Sequence, residues 1–74
     1  MGEIRYLDKT GDQKVIWNPE NDDEVEAAEA TFDMLKDKGF TAYRVKKDGT
    51  QGKKITKFDP KAGRIIMVPK LAGG

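Results

Sequence analysis

Apolar positions along the chain change period twice, and each change marks a new kind of structural element. Near the start, Ile4-Arg5-Tyr6-Leu7 and Lys14-Val15-Ile16-Trp17 are short runs of β-type residues. Between them, residues 8–13 (Asp8 to Gln13) are rich in turn formers, so the two runs read as a β-hairpin. The pattern leaves the second run's register open: either Lys14 and Ile16 or Val15 and Trp17 face inward. Residues Asn18-Pro19-Glu20-Asn21 cannot continue a central strand.

From Val25 the spacing becomes helical. Val25, Ala28, Phe32 and Leu35 recur three and four residues apart, which places them on one face of an α-helix. Asn21 followed by Glu24 has the pattern of a capping box, and Asp22, Asp23, Glu24 and Glu26 suit the positive end of the helix dipole. Lys36 and Lys38 fall in the last turn, and Gly39 is placed to take a left-handed conformation, with Phe40 packing back on Leu35. The helix is therefore expected over about Asp22 to Lys38.

Strand character then returns. Residues 40–45 (Phe40 to Val45) read as a strand, 46–53 as a polar turn, and 54–58 (Lys54 to Phe58) as a short strand whose lysines suit a sheet edge. Asp59-Pro60-Lys61-Ala62-Gly63 is a turn by composition. It leads into Arg64-Ile65-Ile66-Met67-Val68, the most apolar strand and the one expected at the centre of the sheet. The order ββα followed by two or three strands predicts a two-layer α+β domain, with one helix covering one face of a mixed sheet of four to five strands.

Composition narrows the chemistry. At 74 residues the chain is one small domain. Domains of this size bury only about 60% of the surface of their unfolded chain, so function is expected on surfaces and ends rather than in an enclosed cavity. With no Cys and no His, the chain lacks a thiol nucleophile, an imidazole base and the soft metal ligands. No catalytic residue is assigned, and the protein is read as a non-enzyme. No window approaches a membrane span, and the charged N-terminus lacks the apolar core of a signal peptide, so a cytoplasmic monomer is expected.

Charge is polarised rather than excessive. Residues 1–38 carry 5 basic and 11 acidic side chains, whereas residues 39–74 carry 9 basic and 2 acidic. Glu20, Asp22, Asp23, Glu24 and Glu26 lack the spacing of a calcium loop and serve helix capping, so no metal is expected. Lys46, Lys47, Lys53, Lys54, Lys57 and Lys61 offer cations to a nucleic acid or an acidic partner. The stretch has no interleaved aromatics and no arginine-rich pattern, so a solvated sheet edge is the stronger reading and nucleic-acid binding the weaker.

The last residues are Val68-Pro69-Lys70-Leu71-Ala72-Gly73-Gly74. Pro69 cannot donate to a sheet ladder, so regular pairing is expected to stop there and residues 70–74 to form a flexible tail on a domain spanning 1–69. Residues without Cβ permit the close backbone approach that a carboxylate threading an enzyme channel requires.

Taken together, the chain resembles the ubiquitin-like β-grasp proteins. The resemblance rests on its length, the Thr10-Gly11 turn, the acid-capped helix ending in Asp37-Lys38-Gly39, the last apolar strand, and the Leu71-Ala72-Gly73-Gly74 end, where ubiquitin has an arginine in place of Ala72. The resemblance implies a protein modifier. Gly74 would supply the carboxylate activated by an ATP-using partner enzyme and conjugated to lysine amines, and Gly73 the steric clearance. Lys70, Leu71 and Ala72 would lie in the enzyme-binding tail. Implied partners are the activating enzyme, a conjugating enzyme, a deconjugating protease and target proteins, with no cofactor bound to the chain itself. By the same resemblance Ile65 and Met67 face the helix, while Ile66 and Val68 face away as a partner-binding surface. Two other functions fit the resemblance: a β-grasp sulfur carrier that forms a thiocarboxylate at Gly74, and a noncovalent assembly subunit. The chain departs from ubiquitin in Lys9, which stands where the first turn contributes a leucine, in Pro69, and in the loop from Lys46 to Lys54.

Overall fold

The computed structural model describes residues 1–46 and 52–69. Strands β1 (Gly2–Asp8) and β2 (Gly11–Trp17) form an antiparallel hairpin paired from Gly2 with Trp17 to Asp8 with Gly11. Only Lys9 and Thr10 lie between them, so the turn is tighter than the six residues 8–13 suggest. The cause is local hydrogen bonding. Asp8 Oδ1 accepts from the Thr10 amide at 2.8 Å and from its hydroxyl at 2.6 Å, and Gly11 takes φ 114°, a left-handed value that side-chain-bearing residues rarely adopt. Asp12 and Gln13 therefore belong to the strand, with Gln13 Nε2 donating to Thr10 Oγ1 at 2.7 Å.

Helix α1 spans Asp22–Asp37 with Lys38 as its C-cap, within a residue of expectation. Asn21 Oδ1 accepts from the amides of Asp23 and Glu24. Glu24 completes the cap in its own way: Oε1 accepts from the Asn18 amide at 2.9 Å and Oε2 from Asn21 Nδ2 at 3.0 Å, which ties the helix start to the preceding loop. At the other end Gly39 has φ 96°, the Phe40 amide donates to Leu35 O and the Gly39 amide to Lys36 O, the paired bonds of a Schellman motif. Ala28, Phe32 and Leu35 are buried and Val25 packs partly against them, so the periodic positions are the core face.

Strands β3 (Thr41–Val45), β4 (Lys54–Ile55) and β5 (Arg64–Val68) complete one sheet in the order β2-β1-β5-β3-β4. β5 lies at the centre, parallel to β1 and antiparallel to β3. The fold is an α+β, β-grasp-like architecture, a mixed five-stranded sheet carrying one helix.

The fourth strand is shorter than its sequence suggests. It stops at Ile55, because Phe58 is drawn into the core instead of continuing the edge. Its ring lies 5.0 Å from that of Trp17 and 5.8 Å from that of Phe32, and such aromatic pairs add to the gain from burial. Trp17 satisfies its indole N–H by donating to Pro60 O at 3.0 Å. Register in β2 is thereby resolved: Trp17 and Val15 face the helix, whereas Lys14 and Ile16 face outward. Ile4, Trp17, Phe32, Leu35, Ile65 and Met67 form the fully buried centre, each worth about 1.5–3 kcal/mol of transfer free energy. Residues 70–74, expected to form a tail, and residues 47–51 of the polar turn lie outside the described residues.

Candidate functional site

One face of the sheet is covered by α1, and among the described residues the other is open. Because side chains alternate along a strand, the register specifies what the open face carries. Arg5 pairs with Lys14 on one side and Ile66 on the other, and Ile66 pairs in turn with Tyr43. One step toward the hairpin turn lie Leu7, opposite Asp12, and Val68, opposite Thr41. A shallow groove of about 580 Å³ runs between these strands, bordered by Arg5, Leu7, Lys14, Ile66, Val68 and Pro69. Leu7 is 56% exposed and Val68 43%, so the groove has an apolar lip beside two cationic side chains.

The other end of this face is occupied by charge. Glu3 accepts from Arg5 Nε at 3.2 Å and from Arg64 Nε across the β1–β5 junction at 2.9 Å. Partial desolvation of Glu3 works against ionisation, but the hydrogen bonds from Arg64 and Arg5 and their positive charges outweigh it, and the carboxyl is held below its usual range. The pair of bonds orients Arg5 along the strand that borders the groove. Asp8, in the turn beyond Leu7, is likewise held low by its hydrogen bonds from the Thr10 side chain and amide.

Of the residues singled out in the sequence, Ile66 and Val68 lie on the open face and Ile65 and Met67 are buried beneath the helix. Lys70, Leu71, Ala72, Gly73 and Gly74 fall outside the described residues, which end at Pro69 on the rim of the groove. The sequence reading did not assign Leu7, Arg5, Lys14 or Tyr43 to this surface. The signal was present in β1, where Glu3, Arg5 and Leu7 alternate with Gly2, Ile4 and Tyr6. It could be used only once the ladder had placed Leu7 on the same face as Ile66 and Val68.

Among the described residues, no group of three or more carboxylates is arranged to hold a metal ion, and no helix is long and apolar enough to cross a membrane. In comparisons with protein families, curated proteins and solved structures, the chain matches none of them.

Proposed function

We propose that the protein is a ubiquitin-like modifier, activated at the Gly74 carboxylate and conjugated to lysine amines by partner enzymes. The observation that supports this reading is one of continuity. The central strand β5 carries the exposed Val68, reaches Pro69 at the rim of the apolar groove, and leads within five residues into Leu71-Ala72-Gly73-Gly74. A partner enzyme that grips the open face through Leu7, Ile66 and Val68 would therefore have the carboxylate it activates within six residues of its contact, about 20 Å of chain at most. Lys70 and Leu71 extend that contact, and the two glycines admit the chain into a narrow channel. ATP would be consumed by the activating enzyme, leaving this chain as substrate and tag.

Mass spectrometry of trypsin-digested native lysate tests the reading. Cleavage after Lys70 leaves residues 71–74 on each acceptor lysine, and that remnant is expected on several proteins and lost when Gly73 and Gly74 are deleted. Absence of the remnant under several growth conditions overturns the reading. The intact mass of the native protein then separates the other two functions: exchange of one carboxylate oxygen for sulfur identifies a sulfur carrier, and an unmodified mass a noncovalent subunit.

A further inference from the structure

A second concavity lies at the opposite end of the sheet, where β3 ends and β5 begins. The sequence spreads its cations over some eighteen positions, but the fold gathers Arg44, Lys46, Lys53, Lys54 and Lys61 around one cleft of about 660 Å³. Its apolar surface comes chiefly from Ile55, half-buried against the core, with the buried Val45 beneath. Among the described residues the ion pair at this rim is Arg44 Nη1 with Asp59 Oδ2, at 3.5 Å and largely exposed. Five cations around a low-dielectric surface focus a positive potential into the cleft.

The wall is built into the sheet. The Arg44 amide donates to Lys53 O at 2.8 Å, which seats the segment entering β4 against the end of β3. β4 is the outermost strand, so the cleft lies at the sheet edge.

We propose that this cleft binds an acidic peptide segment carrying an aliphatic side chain. Lysine ammonium groups act as point charges that accept carboxylates without demanding a planar fork. The apolar floor fits an aliphatic group between them. Among the described residues no aromatic ring lines the cleft, so they offer no stacking platform of the kind single-stranded nucleic acids use. This inference is independent of whether Gly74 is activated, since the cleft and the groove beside Val68 lie at opposite ends of the sheet.

The test is an NMR titration of the full chain, near physiological salt, with three probes: an octapeptide alternating glutamate with leucine, an all-glutamate octapeptide, and an octathymidylate. The mixed peptide is expected to bind saturably, shifting the amides of Val45, Gly52, Lys54, Ile55 and Gly63, and to weaken as salt is added. It should bind about tenfold tighter than the all-glutamate peptide, the effect of burying part of one aliphatic side chain. Combining Lys53→Glu, Lys54→Glu and Lys61→Glu should weaken it about tenfold or more, whereas Lys9→Glu, a single such reversal in the distant hairpin turn, should not. Unchanged core amide shifts verify that the triple variant folds; if it does not, Lys54→Gln and Lys61→Gln singly should each weaken binding about two- to fourfold. Tighter binding of the octathymidylate, equal binding of both peptides, shifts centred on other residues, or no saturable binding overturns the proposal.

Discussion

Ile65 and Ile66 are adjacent, chemically identical and part of the same central strand, yet they belong to different halves of the molecule. Ile65 is completely buried beneath α1, with Met67 beside it, whereas Ile66, half-buried, looks out on a face that no element among the described residues covers. Along this strand hydrophobicity alone does not identify the core. The helix layer does, because it converts one side of each strand into interior and leaves the other to whatever binds it. An apolar run with both faces apolar, in a sheet with one helix, is a reason to look for a contact on the free side.

Substitutions can break this comparison in order of expected effect. Phe32→Ala removes a fully buried ring that packs on Phe58, and should cost about 3–5 kcal/mol in urea denaturation. A loss below about 1 kcal/mol would mean that the helix presents another face to the sheet. Ile65→Ala should cost about 2–5 kcal/mol, and Ile66→Ala less than half of whatever Ile65→Ala costs. Equal losses would abolish the distinction between the faces. Gly2→Ala probes how firmly the core end of the hairpin is packed. The new Cβ would lie 2.2 Å from Trp17 Cζ2, and that ring is already held by Phe58 and by its bond to Pro60 O. A destabilisation of about 1–3 kcal/mol is expected, and a neutral result would show that the first strand can move aside.

The smallest effect belongs to the open face. Glu3 has a depressed pKa in the folded protein, so its contribution is complete above the ordinary glutamate range and is lost as pH falls through the folded value. With two partly exposed arginine partners, about 0.2–1 kcal/mol per pair is expected. Glu3→Gln should therefore lower stability at neutral pH by that modest amount and flatten the acid limb of the stability profile. An unchanged acid limb would show that the two bonds to Glu3 contribute nothing measurable.

Much of the fold was legible because local and global signals agree. The helix could be bounded within a residue because Asn21, Glu24 and Gly39 mark its ends by chemistry that acts over one turn. The central position of β5 followed from its apolar run. What could not be read depended on distant partners. Phe58 leaves its strand for Trp17 and Phe32, which are far away in sequence, and no local pattern announces that. The extent of the first hairpin turned on side-chain bonds inside the turn. The inward direction of Trp17 required knowing which side the helix covers. The candidate surface was legible only in part for the same reason: Ile66 and Val68 were singled out on one strand, while Leu7, Arg5 and Lys14 join them through pairing across the sheet. The basic cleft was visible as a lysine-rich stretch, but its concavity comes from β3, β4 and the turn at Lys61 meeting at one end.

The parallel pairing of β1 with β5 also bears on how the chain is made. Glu3 finds its ladder partner at Arg64, so the centre of the sheet joins residues from its first strand and its last. During synthesis the hairpin and the helix can begin to form as they emerge, since their contacts are local. They can pack on each other through Ile4, Val15 and Trp17, but the sheet has no centre until the fifth strand arrives. Until then β1 presents an unpaired edge and the helix an apolar stripe that the hairpin covers only in part, the combination that draws chaperones and invites misassembly.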